Sequence, residues 1–270
     1  MSGDAAQGAA LSTLLALLGE KHGIGERSGA WVTSRLEHAL QQLVAETGSL
    51  ERAVDLVRAD RGRLAKLADC LRVGETRFYR DPDQWTALDK LARSSWLPAG
   101  RVRGLSVGCS SGQEALTLAM VLDAARTDAG LGSAALRVVG VDKSQEAIET
   151  ARSGVYAPDA LAPLPRALRE RYFCETVGGL SATPELRGIV SFSVRDALGG
   201  PPPGLWELAI CKNVLIYMSD DAAERVVSSL LRSLSNDGVL LVARSEVARV
   251  RALGHAAEEL APGVTVFRCP

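Results

Sequence analysis

The chain is poor in the residues that would make several kinds of chemistry easy. Histidine occurs three times in 270 residues, at His22, His38 and His255. No usual zinc spacing can be assembled from those positions, so no metal site is expected. The five cysteines (Cys70, Cys109, Cys174, Cys211, Cys269) contain no C-x-x-C pair. An odd, scattered set excludes a disulfide framework and predicts reduced, intracellular thiols. Aromatic residues make up only 4% of the chain, so Leu, Val and Ala must fill the core. The formal net charge is −1, which argues against an extended nucleic-acid surface. No apolar run approaches the ~20 residues needed to span a bilayer, and the start Met1-Ser2-Gly3-Asp4 lacks the basic flank of a signal peptide. The expected location is cytoplasmic.

What remains is a chain long enough for one large domain, or a small domain joined to a medium one. Up to about Leu71 the pattern is helical. Leu14, Leu17 and Leu18 share a face, as do Trp31, Leu36, Leu40 and Leu43, and Val54, Val57, Leu64 and Leu67. Gly23-Ile24-Gly25 breaks the pattern. Thr47-Gly48-Ser49 reads as a helix stop followed by an N-cap, with Arg52 at the third helical position. Residues 1–80 are therefore expected to form a small helical domain. Asp81-Pro82 predicts a further helix, Asp as cap and Pro at the first position, that links onward through residues 81–100.

Beyond residue 100 short β-branched runs alternate with amphipathic helices. Strands are expected at Leu105-Ser106-Val107, residues 136–141, 189–194, 208–211 and 239–242. Ser144 should cap one helix, and another should run from about Asp220 to Leu234. Such alternation predicts an α/β, mostly parallel, Rossmann-like sheet over residues 101–270, with right-handed crossovers. The stretch 174–190, with Gly178-Gly179 and Pro184, reads as a short hairpin excursion.

The most informative segment is Ser106-Val107-Gly108-Cys109-Ser110-Ser111-Gly112-Gln113-Glu114. A strand enters a turn of small residues and passes directly into a helix, so a ligand can approach backbone and meet free N–H groups. One helix later, Val139-Gly140-Val141-Asp142 is a strand ending in an acid, placed to accept from ribose hydroxyls. A dinucleotide or S-adenosylmethionine would fit. The spacing G-x-x-x-G lacks the pyrophosphate turn, and Glu114 suits an ammonium group, which favours the methyl donor. Without any ligand, Gly108 and Gly112 would simply make a tight turn and Asp142 would cap a helix.

Three further segments carry a resemblance. Gly74-Glu75-Thr76-Arg77-Phe78-Tyr79-Arg80-Asp81 resembles the T-x-F-F-R-D signature of CheR-type chemotaxis receptor methyltransferases. Residues 108–114 resemble that family's C-S-T-G-E-E turn, and Cys211-Lys212-Asn213-Val214-Leu215-Ile216-Tyr217 its C-R-N-V-L-I-Y. Ala151-Arg152-Ser153-Gly154-Val155-Tyr156 and Ser245-Glu246 fit its A-R-x-G-x-Y and S-E. The order and spacing agree over nearly the whole chain. The resemblance implies a small N-terminal helical bundle before a class I methyltransferase domain, and a protein-glutamate O-methyltransferase that uses S-adenosylmethionine and releases S-adenosylhomocysteine. It implies that Thr76 and Arg80 reach the cofactor, that Gly108, Ser110 and Glu114 hold its amino-acid end, and that Asp142 holds its ribose. Asp196 and Ala197 would lie near the adenine. Lys212, Asn213 and Tyr217 would line the transfer pocket, with Arg80 and Tyr217 orienting the acceptor carboxylate.

The implied partner is a chemoreceptor-like protein with acidic methylation helices. Among Arg58, Arg61, Arg63 and Lys66, a basic surface for that partner is diluted by Asp55, Asp60 and Asp69. Tyr79, Gln113, Lys212 and Asp196 depart from the family pattern. The segment 174–190 looks like a reduced version of the family's inserted β-subdomain, with Pro184 interrupting a strand, so tethering by a receptor's C-terminal peptide is expected to be absent. Two other readings remain open: a methyltransferase for a small carboxylic acid, and a non-catalytic module that binds S-adenosylmethionine.

Overall fold

A computed structural model describes residues 2–24, 30–71 and 76–269 of the chain. Gly25, Gly74 and Glu75, which carry part of the expected helix break and signature, lie outside the described residues, as do the side chains of Trp31 and Asp69. The chain divides into two units: residues 1–74 with 214–225, and residues 75–213 with 226–270.

The first unit holds α1 (Ser2–His22), α2 (Ala30–Thr47), α3 (Leu50–Ala59) and α4 (Arg61–Cys70). Ser49 caps α3, its hydroxyl accepting from the Arg52 N–H at 3.2 Å, as the Thr47-Gly48-Ser49 pattern predicts. Leu14, Leu18, Leu36, Leu40, Val57 and Leu71 are buried at the centre of this bundle. The segment 214–225 belongs here too. Ile24 bridges Met218, the Ser219 N–H donates to the Gly23 carbonyl at 2.8 Å, and Tyr217 is buried in the same apolar cluster. This return of a distant segment was not expected from the sequence. Arg63 pairs with Glu46 and Arg58 with Asp55 on the bundle's exposed surface.

The second unit opens with α5 (Pro82–Leu91), extended by a π-turn through Ala92–Trp96. Then follow β1 (Arg101–Val107), α6 (Gln113–Asp128), β2 (Ala135–Asp142), α7 (Gln145–Ser153), β3 (Val155–Tyr156) and α8 (Arg166–Tyr172). The chain continues with β4 (Phe173–Thr176), β5 (Gly179–Ala182), α9 (Pro184–Ile189), β6 (Val190–Val194) and β7 (Trp206–Cys211). Helix α10 (Asp220–Arg232), which passes from the first unit into the second after Arg225, leads to β8 (Leu234–Val242), α11 (Arg244–Ala252), β9 (Ala257–Ala261) and β10 (Val264–Phe267). Where the sequence predicts helix up to Leu234, that residue already starts β8.

The main sheet has the order β6-β2-β1-β7-β8-β10-β9. Strands β6, β2, β1, β7 and β8 run parallel, β10 alone runs against them, and β9 at the edge returns to their direction. Strand β7 is buried at all six positions, which is why, apart from Glu207, it reads as an apolar run rather than an alternating one. Chain order reverses between β1 and β7, so the carboxyl ends of β1, β2 and β7 flank a switch point where such sheets bind ligands. This is the Rossmann-like fold of class I methyltransferases. Helix α6 is buried along nearly its whole length, as expected for a helix enclosed by its neighbours.

The hairpin excursion is present as a second sheet, β3-β5-β4, all antiparallel. Pro184 does not interrupt a strand. It takes the first helical position of α9 behind Thr183, whose hydroxyl accepts from the Leu186 N–H at 3.4 Å. Proline is suited there because its missing N–H would have had no partner.

Candidate active site

The loop 76–81 enters α5 by an unexpected route. Asp81 does precede Pro82, but its side chain does not cap the helix. The residue takes a left-handed conformation (φ 59°), and its carboxylate lies 2.6 Å from the Lys212 ammonium instead. A cap and an ion pair compete for the same oxygens, and the buried cation wins. The Trp85 indole N–H donates to the Arg80 carbonyl at 2.7 Å, and the Tyr79 ring stacks on Trp85 with centroids 6.5 Å apart. The Tyr79 N–H donates to the Thr117 hydroxyl on α6 at 3.2 Å. Phe78 is fully buried, edge-on to Tyr156 at 5.0 Å and to Phe173 at 5.5 Å.

After β1 the turn of small residues wraps the end of β2. The N–H groups of Gly108 and Cys109 both donate to the Val141 carbonyl, at 2.8 and 3.0 Å. The Asp142 carboxylate accepts from the Ser110 N–H through one oxygen and from the Ser144 N–H through the other, both at 2.9 Å. Asp142 therefore shapes the turn itself. Two N–H bonds still leave lone pairs on both oxygens for hydroxyl donors. Ser144 caps α7 as predicted, accepting from the Ala147 N–H.

Glu114, in the first turn of α6, accepts from the Ser106 hydroxyl at 2.7 Å. Burial raises its pKa, opposed by the Lys212 charge and the Ser106 hydrogen bond; Glu246 adds to the rise and Arg80 opposes it. The thiols of Cys109 and Cys211 are also pushed up by burial, with Asp142 and Glu246 respectively as further causes. Both remain protonated at neutral pH, which makes them packing groups rather than nucleophiles.

At the end of β7, Lys212 is buried, with 2% of its side chain exposed, and its ammonium stands 5.7 Å from the Trp85 ring centre. Asn213 follows with φ 58°, and its N–H donates to the fully buried Glu246 carboxylate at 2.9 Å. Glu246 also accepts from the Ala243 N–H at 3.1 Å, reaching back over the start of α11. Asp196 follows β6, is exposed, and accepts from the Leu198 N–H at 2.9 Å; Ala197 begins the short helical turn it caps.

Among the described residues only Tyr79, Asp81, Ser110 and Asn213 combine a side chain with positive φ. All four fall in the three motif segments. Such backbone costs energy and persists where the surroundings over-determine it, typically at working sites. In the second unit Gly108, Ser110, Glu114, Asp142, Lys212 and Asn213 lie at or just beyond the carboxyl ends of β1, β2 and β7, and Thr76 and Arg80 lie in the segment leading into α5. Tyr217 is the one expected site residue in the first unit.

Three contributors had no role assigned from sequence. Glu246 and Tyr156 were visible only as pattern letters, and Trp85 only as an apolar helix position. The Tyr156 hydroxyl donates to the Ser111 carbonyl at 2.7 Å, which ties β3 of the small sheet to the turn. An acid in the first turn after a strand is a signal that could have singled out Glu246.

Residues 74–256 match the family described as "CheR methyltransferase, SAM binding domain". The chain is 35% identical over 188 residues to a probable biofilm formation methyltransferase, WspC, of Pseudomonas putida, covering 67% of this chain and 43% of the relative. It is 29% identical over 177 residues to the chemotaxis protein methyltransferase of Escherichia coli, covering 63% and 60%. The chain thus spans less than two thirds of each of these relatives. Among solved structures it is similar to a DhpI–S-adenosylhomocysteine complex, 16% identical over 91% of this chain and 96% of that one, with a TM-score of 0.38; that likeness adds nothing to the strand order above. No helix among the described residues is long and apolar enough to cross a membrane. The family match covers well over half of the chain, and the chain therefore belongs to the CheR methyltransferase family.

Proposed function

We propose that the chain transfers a methyl group from S-adenosylmethionine to glutamate side chains of a chemoreceptor-like protein, forming methyl esters. The observation that carries this reading is that Glu114, Asp142 and Asn213 lie at the carboxyl ends of the strands flanking the sheet's switch point, where Ser110 and Asn213 take strained backbone, with the Arg80 charge acting on Glu114. The residues fit the cofactor. Glu114 offers a carboxylate for an ammonium group, Asp142 retains lone pairs for ribose hydroxyls, and the positive φ of Gly108 and Gly112 keeps Cβ atoms off the turn. Asp196 has one carboxylate oxygen beyond the one bonded to Leu198, and that oxygen can accept from an adenine amino group.

When bound, S-adenosylmethionine supplies an electrophilic methyl group. A glutamate acceptor is already ionised at pH 7, since its reference pKa is about 4.3, so no general base is needed. What the chain must supply is alignment and partial desolvation of the acceptor carboxylate. The Arg80 guanidinium holds a carboxylate by charge-assisted hydrogen bonds without giving up a proton. The role that the resemblance assigns to Tyr217 is part of the same proposal. The names of the relatives, chemotaxis and biofilm formation methyltransferases, support the acceptor class. Tethering through a receptor's C-terminal peptide is not part of this reading.

The test is transfer of labelled methyl to membranes bearing receptors from the same cell, followed by release of methanol in mild alkali. Alkali-labile label on a receptor-sized band is the expected result, with Arg80→Ala folded and nearly inactive. Binding of S-adenosylhomocysteine without any protein label would overturn the acceptor class and leave a small acid, or a cofactor-binding module, in its place.

A further inference from the structure

Lys212 stands where the resemblance expects a pocket-lining residue, yet its ammonium is engaged elsewhere. It lies 2.6 Å from an Asp81 carboxylate oxygen, with 2% of the lysine side chain and 32% of the aspartate side chain exposed. The indole beneath it belongs to Trp85, whose N–H holds the Arg80 carbonyl at 2.7 Å. Arg80 is therefore fixed from both sides: its own carbonyl by Trp85, and the next residue's carboxylate by Lys212. Asp81 gives up capping α5 and takes a left-handed backbone to make this contact. Both choices cost energy that a purely helical role for Asp81 would avoid.

The pair spans 131 positions of sequence, from loop 76–81 to the end of β7. A second strap runs alongside it. The Gln84 side-chain amide donates to the Val242 carbonyl at 3.4 Å, and Asp83 pairs with Arg244. Of these contacts only the Lys212–Asp81 pair adjoins Arg80.

We propose that Lys212 is a positioning residue rather than a cofactor contact: with Asp81 it fixes the loop that presents Thr76 and Arg80 to the cofactor and acceptor. This rests on the cofactor reading given above. Removing either charge frees the loop, and removing Asp81 also strands the buried Lys212, so each single loss breaks the same contact and the two do not add.

The test is a cycle of Asp81→Asn, Lys212→Met and the double variant, read as the dissociation constant for S-adenosylhomocysteine by calorimetry and the melting temperature of the ligand-free protein. Each single variant is expected to weaken binding roughly tenfold. The double variant should be no weaker than the worse single one. Lys212→Arg, which keeps the pair and restores the residue of the C-R-N pattern, should stay within about threefold of wild type. If Asp81→Asn fails to fold, Asp81→Glu keeps the charge on a longer arm and should still weaken binding several-fold.

Loss of affinity in Lys212→Met with none in Asp81→Asn would overturn the proposal in favour of direct cofactor contact. A lower melting temperature with affinity within twofold of wild type in both singles would overturn it in favour of a structural ion pair. If the wild type does not bind S-adenosylhomocysteine at all, the cofactor reading itself falls, and this proposal with it.

Discussion

Gly112→Ala tests whether the turn after β1 is held by contact as well as by backbone conformation. Gly112 has φ 95°, and a Cβ there would stand 2.9 Å from the Ala151 Cβ, 3.0 Å from the Tyr156 hydroxyl and 3.1 Å from the Phe192 ring. The backbone term costs about 1–2 kcal/mol for a residue with a side chain. Crowding three packed neighbours adds about 1–3 kcal/mol. Gly100→Ala is the control. Its φ is 81° with nothing within 4 Å of the added carbon, so only the first term applies.

Three of the four tryptophans, Trp85, Trp96 and Trp206, lie in the second unit, so indole fluorescence on heating follows mainly that unit. A loss of about 3 kcal/mol should lower the midpoint by roughly 6–12 °C at this chain size, against roughly 2–8 °C for the control. Affinity for S-adenosylhomocysteine should fall in Gly112→Ala and hold in Gly100→Ala. Equal midpoints for the two variants would refute the claim that the turn is packed tight by Ala151, Tyr156 and Phe192.

Further expectations concern the groups around that turn. Burial raises the Glu114 pKa, so in the ligand-free protein the carboxyl takes a proton at a higher pH than an ordinary carboxylate, and an ammonium ligand draws that proton off. Affinity for S-adenosylhomocysteine should therefore decline toward acid pH, starting above the usual carboxylate range, with proton release on binding seen as a buffer-dependent enthalpy. In Glu114→Gln both dependences should vanish, and their persistence would reassign the titrating group. Tyr156→Phe keeps its ring contacts with Phe78 and Phe173 but loses the bond to the Ser111 carbonyl, worth about 1 kcal/mol. Roughly fivefold weaker cofactor binding is expected, and unchanged affinity would show that the turn does not depend on it. Glu246→Ala leaves the partly buried Asn213 and buried Ala243 N–H groups without their shared acceptor, at about 2–6 kcal/mol in total. Urea denaturation should register this as an early midpoint, and a midpoint near wild type would mean water or another group takes over.

Much of the sheet was legible because parallel strands covered on both faces are apolar along nearly their whole length, as β7 is from Leu208 to Cys211. The turn at residues 108–114 was legible for a related reason: close approach of a backbone to a ligand demands small residues in a row. The failures have equally physical causes. Asp81 before Pro82 reads as a cap because sequence shows only the neighbours along the chain, while Lys212, the partner that takes its carboxylate, comes much later. Strand β3 has two residues, too few to display any periodicity, yet it brings Tyr156 to the turn. The bond between Asn213 and Glu246 joins two ordinary-looking element ends across a whole helix and strand. Nothing in residues 214–225 marks them as part of the helical unit, since an apolar run ending in Tyr217 fits either unit equally well.

That last segment has a consequence for the order in which the protein forms during its synthesis. The helical unit's core includes Tyr217, and Ile24 bridges Met218, yet these residues emerge roughly 140 positions after its other helices. At ribosomal speeds of about 5–20 residues per second, helices α1 to α4 wait some 7–28 s with an apolar face uncovered. Helices α1 to α4 are thus completed late, and their exposed interval falls while the sheet is still being assembled behind them.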